Sequence, residues 1–532
     1  MFDVAIVGGG SAGCVLANRL SSEPARKVCL IEAGPPKHRS FGVRAPGLYQ
    51  TLWFGKLCWN LKTVPQRHVD NREMYWPRGK VVGGTNSFNT LVYIRGHRDN
   101  YDGWRDLGNP GWGYADVLPY FKRSEDNARG ASEFHGAGGP LPVDDFEPSP
   151  IGRAFIDATA ARCGVPVVDD FNGAAQEGVG SYQINVRDGQ RASTATAFLD
   201  PIRSRDNLTI ITDALATNLV IDGDRCTGVR IRVRGSEQVI DAREVIVCGG
   251  AIGSPHLLML SGIGAGDELK AVGVEPRHEL AGVGKHLEDH LLCFLVYRTK
   301  REASPGLSRR GLVWALLQHA TRSAGILARS PVEAGAFVRH DHTAPRPDDQ
   351  FHFVPYGISP PNSDIKRPIQ FGRYATVMPG LIYPHSHGEI TLRSADPTAA
   401  PLIDPRYFSD PRDLEHMVAG VKLAREIAHT APLADMLEAP FFPADTITTD
   451  DDIRAWIRLS VNTIFHPTGT CRMGTDKLAV VDPELRVHGV RGLRVADASI
   501  MPRITGGNTN APTVMIAEKA ADLVAGASPP PA

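Results

Sequence analysis

Three glycines and one acidic residue near the N-terminus have the spacing of a dinucleotide site. Gly8, Gly10 and Gly13 form a G-x-G-x-x-G turn between an apolar strand-like run and a helix-like run, and Glu32 ends the next apolar run. Such glycines permit a tight turn, close approach of a pyrophosphate and packing of helix on strand, while the helix N-terminus faces the phosphates. A carboxylate at Glu32 can bind ribose hydroxyls and disfavours a 2′-phosphate, which leaves NAD or FAD. Its alternative role is a helix N-cap or a solvated strand end.

A second glycine-rich stretch, GKVVGGTNSFNTLVYIRG, spans residues 79–96. Adjacent glycines such as Gly83 and Gly84 give up packing and add unfolded-state entropy, so they are best explained where another group approaches the backbone or where φ is positive. We expect such a close approach here.

The elements that must position these residues follow a strand–turn–helix pattern. Apolar strand candidates lie at Val4–Val7, in KVCLIEAG, in LTIITDA near residue 210 and in EVIVCGG at 244–250, and they suit a parallel sheet covered on both faces. Between about 300 and 440 the chain becomes Pro-rich, with strand and loop patterns that predict an inserted second domain. The chain ends in a helix with Pro512 in its first turn and Gly526 after its end.

Composition excludes several classes of function. The formal net charge is −1 without a Lys/Arg run, which argues against nucleic-acid binding. The eight cysteines are scattered with no C-x-x-C pair, so reduced thiols in a cytosol are favoured over disulfides or a metal site. No secretory signal is evident at the N-terminus, and no apolar stretch reaches the ~18 residues of a membrane span. We expect a cytoplasmic protein.

One biased stretch lies at 300–329, where six Lys and Arg residues face Glu302 alone around an apolar run that includes Trp314. It is compatible with a helix on the inner face of a membrane or at an entrance to the site. The alternative is a helix that covers the core and exposes a solvated basic face.

Several motifs together resemble the glucose-methanol-choline (GMC) family of flavin oxidoreductases. They are GGGSAGCVLANRL with LIEAGP, GKVVGG…N…VYIRGH…YDGW, GAIGSPHLLMLSGIG, GVGKHLEDH and FHPTGTCRMG…RVADASIMP…GGNTNAPTVMIAEKAADL, and they occur in the family's order over residues 2–523. Within this family the sequence is most similar to the choline-dehydrogenase and aliphatic-alcohol-dehydrogenase branch.

The resemblance implies an α/β fold: a Rossmann-type FAD-binding domain with an inserted α+β substrate domain built on a six-stranded antiparallel sheet. The FAD-binding domain is expected at 1–150, 190–300 and 450–532, and the substrate domain at 151–189 and 301–449. The implied reaction is oxidation of a primary alcohol to an aldehyde, with FAD as hydride acceptor and a quinone, a dye or O2 as the final electron acceptor. Relatives also include cyanohydrin lyases and a light-driven decarboxylase, which stay as alternatives, as does a flavin-binding interaction protein.

The resemblance also assigns roles to residues. His466 takes the position of the catalytic base. Asn510 takes the position of a second active-site residue, whose amide would donate to the substrate oxygen, with an N-cap as its alternative role. Asp497 and Ala498 fall where relatives contact the flavin's ribityl and pyrophosphate part, although an isolated Asp after a strand more often forms an Asx turn.

The remaining expected cofactor contacts are small or backbone-binding residues, namely Gly8, Gly10, Ser11, Ala12, Gly13, Glu32, Ala33, Val82, Gly84, Asn89, Thr90, Ala216 and Ala251. Phe88 stands where some oxidases carry a histidine bonded covalently to the flavin. Phenylalanine cannot form that bond, so non-covalent FAD is expected.

The substrate pocket is predicted from position alone, with Trp59, Glu333, Phe351, Phe353, Tyr356 and Phe465 as its lining. Glu333 matches a carboxylate that pairs with the quaternary ammonium in choline-oxidising relatives. That pairing also needs an aromatic cage. Because Pro331 and Val332 precede Glu333, a neutral aliphatic or benzylic alcohol is favoured over choline.

Overall fold

The structure is a computed structural model that describes residues 1–303, 306, 308–340, 343–358 and 369–530. Two sheets and the helices around them enclose one large cavity. No helix of these residues is long and apolar enough to cross a bilayer.

The first sheet, here called the nucleotide sheet, has a parallel core. Its parallel strands lie side by side in the order Leu208–Ile211, Val28–Ile31, Phe2–Val7, Ser236–Val247 and Leu493–Val495. The strand Ser236–Val247 continues into an antiparallel meander with Arg225–Val233 and Ala214–Asp222. The runs at Val4–Val7 and Val28–Ile31 are buried along their length, as expected for parallel strands covered on both faces.

Two helices that meet at the nucleotide turn are joined by ion pairs further along their lengths. Helix Ser11–Leu20 packs against helix Asn510–Ala525, and Arg19 donates to the fully buried carboxylate of Glu518 at 2.8 and 2.9 Å. Arg123, from helix Tyr114–Ser124, donates to the same carboxylate at 2.8 Å. These bidentate and shared ion pairs fix the two helix N-termini beside each other.

The second sheet is antiparallel and backs the other side of the cavity. Its main path runs Leu437–Phe442, Leu295–Thr299, Tyr374–Leu381, Asp349–Val354, Ala334–Val338 and Gly178–Ser181, with the short strands Leu291–Leu292 and Asn462–Thr463 paired beside it. Helices Pro150–Cys163 and Pro411–Ala428 cover the face of this sheet that points away from the cavity.

The remaining elements connect and cover these two layers. The other α-helices are Phe41–Arg44, Arg98–Asp106, Gly250–Leu260, Gly266–Ala271, Arg309–Arg322, Leu433–Met436 and Asp450–Ser460. Short 3₁₀ or π turns span Pro46–Leu52, Gly84–Ser87, Ala195–Leu199, Asp200–Ile202, Ile326–Ala328 and Ala498–Ile500. The small strand groups are Leu61–Lys62 with Tyr75–Trp76, Glu125–Asn127 with Leu141–Val143, Val186–Arg187 with Gln190–Arg191, Ile263–Gly264 with His278–Glu279, Gly357–Ile358 with Ile369–Gln370, and Lys285–Leu287 with Gly388–Thr391 and Leu402–Asp404.

The fold confirms the predicted class, a Rossmann-type parallel sheet with an antiparallel second sheet. The strands depart from the expected domain ranges at two places. Leu291–Leu292 and Leu295–Thr299 fall within 190–300, and Asn462–Thr463 falls within 450–532, yet all three strands pair in the second sheet. They bring Leu292 and Asn462 to the cavity wall, so chain from both expected nucleotide segments contributes to the substrate side.

The basic stretch differs from a helix that covers the core with a solvated basic face. Helix Arg309–Arg322 buries Ala315 and His319, but its outward face carries the exposed apolar side chains Val313, Trp314 and Leu317. The arginines lie toward the ends of the helix.

Candidate active site

The nucleotide turn has the geometry that its glycines predict. Gly8 has φ +109°, and a Cβ there would lie 2.4 Å from the Cys248 carbonyl oxygen. A Cβ on Gly13 would lie 1.9 Å from the Gly8 carbonyl oxygen, so only glycine lets the helix begin this close to the strand. Gly8 and Gly10 line the cavity, whereas Gly13 serves the packing of helix on strand.

The pair Gly83 and Gly84 lies directly against this turn. Gly83 has φ +93° and Gly84 φ +55°, and a Cβ on Gly84 would lie 2.8 Å from Cα of Gly10. Gly83 N–H donates to the Gly9 carbonyl oxygen at 2.7 Å. The group that approaches the Gly-Gly backbone is therefore the nucleotide turn itself, and both segments form one glycine-lined cradle at the cavity.

Glu32 stands at the end of the second parallel strand, at the cavity wall. Its carboxylate accepts hydrogen bonds from Gly9 N–H and Gly34 N–H, each at 2.7 Å. Burial raises the pKa of this carboxyl to about 7 in spite of those bonds. An acceptor held at this strand end fits a ribose hydroxyl.

Asp497 forms the Asx turn and also lines the cavity. Its Oδ1 accepts from Ser499 N–H at 2.8 Å, an Asx turn, and its Oδ2 accepts from Gly250 N–H at 2.8 Å and from Ser254 Oγ at 2.5 Å. The side chain therefore ties the strand Leu493–Val495 to the N-terminus of helix Gly250–Leu260 while lining the cavity. Burial raises its pKa.

His466 lines the same cavity as Glu32 and lies beside two buried histidines, His290 and His352. Its Nδ1 is 3.1 Å from Nδ1 of His290, and its Nε2 is 3.4 Å from Nδ2 of Asn508. Because the Asn508 amide points its donor at Nε2, the neutral tautomer that fits this network carries its proton on Nδ1 and donates to His290. The lone pair of Nε2 is then left as the basic site.

Burial controls the charge of this cluster. It lowers the pKa of His466 well below 6.5, with the nearby His290, His352 and Arg78 lowering it further, and it lowers the pKa of both His290 and His352 to about 3. His466 is therefore a neutral imidazole, the form that can accept a proton.

The structure separates Asn510 from His466 and places Asn508 there instead. Asn508 Oδ1 accepts from Gln350 Nε2 at 3.2 Å, which fixes the amide with its donor toward His466. Asn510 Oδ1 accepts from Ser11 Oγ at 2.7 Å, at the first turn of the helix that follows the dinucleotide strand. Asn510 does not cap its own helix either, whose N-cap is Thr509. This corrects the prediction that Asn510 holds the substrate oxygen.

Asp289 supports His466 from behind. Its Oδ1 accepts from the His466 backbone N–H at 2.7 Å, and its Oδ2 accepts from the hydroxyls of Tyr407 and Thr463, each at 2.5 Å. Burial raises the pKa of Asp289 to about 6, although these donors and Arg78 oppose the shift. The carboxylate holds the backbone of the segment that carries His466 rather than the imidazole ring.

One cavity of about 490 Å³ joins the two ends, from the nucleotide cradle to His466. Most expected cofactor contacts line it, namely Gly8, Gly10, Ser11, Ala12, Glu32, Ala33, Gly84, Asn89, Thr90, Ala216, Ala251, Asp497 and Ala498. Val82 does not, since its side chain is fully buried in the core.

The structure corrects four of the six expected substrate contacts. Phe351 and Phe353 point to the helix side of their strand, where Phe353 stacks on Phe155 with ring centroids 4.8 Å apart. Because side chains alternate along a strand, His352 and Val354 face the cavity instead. Tyr356 is not part of the lining and packs within the hydrophobic cluster that includes Ile358.

Glu333 is the fourth corrected contact, and it lies outside the cavity. Its Oε2 accepts from Ser149 N–H at 3.0 Å and from Ser149 Oγ at 2.6 Å, at the N-cap of helix Pro150–Cys163. The carboxylate therefore stabilises a helix N-terminus. Its neighbour Val332 lines the cavity, together with the expected Trp59 and Phe465.

Sequence reasoning missed His290, His352, Asp289 and Asn508. The only local signals for these residues were polar residues within otherwise apolar strand sequences, in LEDHLL and FHFV, and a second asparagine in GGNTN. These residues come from separate segments that only the fold brings together.

The residues present fit a flavin dinucleotide. The cavity has a glycine-lined phosphate cradle and a ribose-directed carboxylate at one end, and an apolar chamber with a neutral base at the other. A dinucleotide bound in the cradle would extend toward His466. Fold and site together define a dinucleotide-dependent oxidoreductase with the substrate carried on a second domain.

Comparison with known proteins gives the family. Models of the GMC oxidoreductase family match residues 2–292 and 384–517. The chain is similar to an alcohol dehydrogenase (acceptor) of Pseudomonas putida, with 43% identity over 98% of this chain and 96% of the relative, and to the mitochondrial choline dehydrogenase of Homo sapiens, with 40% identity over 99% and 90%. Among solved structures it is similar to pyridoxine 4-oxidase from Mesorbium loti, with a TM-score of 0.89 and 32% identity over 98% of both chains. The chain belongs to the GMC oxidoreductase family and is an FAD-dependent enzyme that oxidises alcohols.

Proposed function

We propose that this enzyme oxidises a neutral, largely apolar primary alcohol to the aldehyde, with His466 as the base. The observation that carries the proposal is the pairing of His466 Nε2 with the Asn508 amide donor at 3.4 Å, at the end of the cavity that begins at the nucleotide cradle. A hydroxyl oxygen placed between these two groups can give its proton to Nε2 and receive a hydrogen bond from Nδ2.

The side chains around this pair hold it ready for the reaction. Gln350 fixes the Asn508 amide, and Asp289 fixes the backbone of His466. His290 Nδ1 accepts a hydrogen bond from His466 Nδ1 in this tautomer, which leaves the lone pair of Nε2 on the side of the Asn508 amide. When bound, FAD supplies the acceptor for the hydride that leaves the alcohol carbon, a chemistry that no side chain offers.

The substrate end of the cavity favours a neutral molecule. Its lining includes Trp59, Leu61, Leu292, Phe294, Val332, His352, Val354, Met378, Ile464 and Phe465. Among the described residues the cavity's carboxylates are Glu32 and Asp497, which contact the nucleotide turn and the helix N-terminus at Gly250. The half-buried Arg78 lies near His466 and interacts with Asp289, which is not part of the lining. A quaternary ammonium would meet a cation without a balancing carboxylate at the wall, so we place choline second to an aliphatic or benzylic alcohol.

Anaerobic mixing of the enzyme with a panel of alcohols tests this proposal. We expect the visible absorption band of the oxidised flavin to bleach with apolar primary alcohols, and His466→Ala to abolish the bleaching. His278→Ala, which changes a histidine outside the cavity, is the matched control. Absence of bleaching across the panel would exclude alcohol oxidation and favour the lyase or the decarboxylase chemistry of the same fold.

We further propose that FAD is held without a covalent bond. Phe88 is buried at the cavity against Cys58 and Tyr75, and its ring has no nucleophile to offer the flavin. Acid precipitation should therefore leave the yellow chromophore in the supernatant, and a pellet that stays yellow would contradict the proposal.

We propose a quinone or a dye as the electron acceptor in place of O2, because the Pseudomonas putida relative is named as a dehydrogenase that uses an acceptor. Turnover measured with O2 and with a soluble quinone analogue in parallel discriminates between the two acceptors.

All eight cysteines are unpaired, which supports a reducing, cytoplasmic compartment.

A further inference from the structure

Two segments that are far apart in sequence form one surface, here called the basic apolar face. The segments are 37–56 and 309–329. Phe41 contacts His319 with ring centroids 5.6 Å apart, and Gln190 accepts from Arg44 and donates to Ser323 Oγ, so it bridges the segments. Gly47 lies close to Leu327, since a Cβ added to Gly47 would lie 3.0 Å from Cα of Leu327.

This face exposes an unusual amount of apolar side chain. The side chains concerned are 46% to 67% exposed, and they are Phe41, Phe54, Val313, Trp314, Leu317 and Ile326. They are six of the fourteen large apolar side chains that the described residues expose. Scattered exposed apolar residues are ordinary, but a concentration in one place indicates an interaction surface.

The charge of the face is of one sign. The sequence contains no Asp or Glu between Glu32 and Asp70, and none between Glu302 and Glu333. The cations of the two segments are Lys37, Arg39, Arg44, Lys56, Arg309, Arg310, Arg322 and Arg329. Of these, within the described part of the chain, only Arg39 forms an ion pair, with Asp200 at 2.8 Å. The acids at the margin are Glu302 at one end, Asp188 on the neighbouring hairpin and Glu333, whose carboxyl interacts with Arg329.

The first segment of the face also reaches the cavity. Tyr49, Gln50 and Trp53, which belong to or follow the turn Pro46–Leu52, line the cavity, as does the exposed Trp59. The face and the cavity wall therefore share this segment of chain.

We propose that the basic apolar face docks on an anionic lipid surface, with helix Arg309–Arg322 lying in the plane of the interface. Exposed tryptophan and aliphatic side chains flanked by arginine are the composition of interfacial helices, in which the apolar groups enter the acyl boundary and the cations meet the phosphates. The cations without acidic partners make a lipid surface a better complement than a typical, mixed-charge protein surface. The consequence for catalysis rests on the proposed function: lipid-soluble alcohols and quinones would enter the cavity from the bilayer.

Vesicle co-sedimentation of the purified holoenzyme tests the docking directly. We expect binding to vesicles of phosphatidylcholine mixed with phosphatidylglycerol, weaker binding to phosphatidylcholine alone, and loss of binding at high salt. The double variant Trp314→Ser/Leu317→Ser should bind at least tenfold more weakly, and so should Arg309→Glu/Arg310→Glu. The matched controls are Leu459→Ser/Leu478→Ser and Lys270→Glu/Lys477→Glu, which change equally exposed side chains outside the face and should bind like the wild type.

The outcomes separate this proposal from the proposed function. Oxidation of an alcohol with a soluble dye, measured without vesicles, should be the same in wild type and in all four variants. Failure of the wild type to bind anionic vesicles while dye-coupled turnover proceeds would overturn the lipid proposal alone. Vesicle binding without flavin reduction by any alcohol would overturn the proposed function alone. A dimer in light scattering that Trp314→Ser/Leu317→Ser dissociates, without vesicle binding, would assign the face to self-association.

Discussion

The sharpest test of the site compares two asparagines that stand two residues apart. Asn508→Ala removes the donor that faces His466 Nε2 at 3.4 Å, whereas Asn510→Ala removes the acceptor of Ser11 Oγ at 2.7 Å. Both changes delete one neutral amide at the same segment. They therefore serve as controls for each other.

The expected magnitudes differ by about two orders. A preorganised amide that donates to a developing alkoxide is worth roughly 10²- to 10³-fold in kcat, and Gln350 preorganises Asn508. The Ser11–Asn510 bond is an ordinary neutral hydrogen bond, worth about 1 kcal/mol, and its loss should weaken FAD retention or the free energy of unfolding while kcat changes less than about fivefold.

Stopped-flow flavin reduction by a saturating alcohol measures the chemical step without the acceptor. We expect the reduction rate to fall about 100-fold or more in Asn508→Ala, and to recover in part in Asn508→His, which keeps a ring N–H donor. A larger loss in Asn510→Ala than in Asn508→Ala, in protein with full flavin content, would refute the assignment.

Three further predictions concern charge and burial. Because burial lowers the pKa of His466 well below 6.5, the base is already deprotonated at pH values where a free imidazole is half protonated, so protonation of His466 should not lower kcat/KM as the pH falls through 6.5; an acidic limb centred at or above 6.5 in the pH profile would contradict this. The buried Arg191 donates from Nη1 to Asn89 Oδ1 and to the carbonyl oxygens of Asn86 and Asn89, and burial lowers its pKa to about 9. Arg191→Met should therefore loosen the segment beside Gly84 and raise the dissociation constant of FAD about tenfold, with Arg191→Lys intermediate. Unchanged flavin content after dialysis would exclude this role. Glu333→Gln should lower the free energy of unfolding by about 1–2 kcal/mol through the N-cap at Ser149 and leave KM for neutral alcohols unchanged, as thermal melts and kinetics can show; a shift in KM without loss of stability would restore Glu333 to the substrate pocket.

The nucleotide end of the site could be predicted from sequence because its requirements are local. Gly8, Gly10 and Gly13 act through backbone geometry within one turn, and Glu32 is placed by the strand that immediately precedes it. Each of these residues does its work through neighbours a few positions away. Motif spacing therefore carries nearly all the information that the structure later shows.

The substrate end could not be predicted in the same way, because it depends on which face of an element points inward. The strand DQFHFV is buried on both sides, so its alternation separates Phe351 and Phe353 from His352 and Val354 but does not say which side faces the cavity. In GGNTN, whether Asn508 or Asn510 faces His466 depends on where the helix begins. A shift of one or two residues in either place changes the predicted side chain completely.

The charge of the cavity wall acts on both partners of the proposed proton transfer. Arg78 is half-buried near His466, donates to the Phe465 carbonyl oxygen at 2.9 Å, and is among the groups that lower the pKa of His466. Its positive potential makes His466 a weaker base and also stabilises a negative alkoxide. Burial is the largest cause of the low pKa of His466 and gives an alkoxide no such stabilisation, so Arg78 offsets only part of the cost of proton transfer. The same positive charge disfavours a cationic substrate beside His466, in line with the proposal of a neutral alcohol.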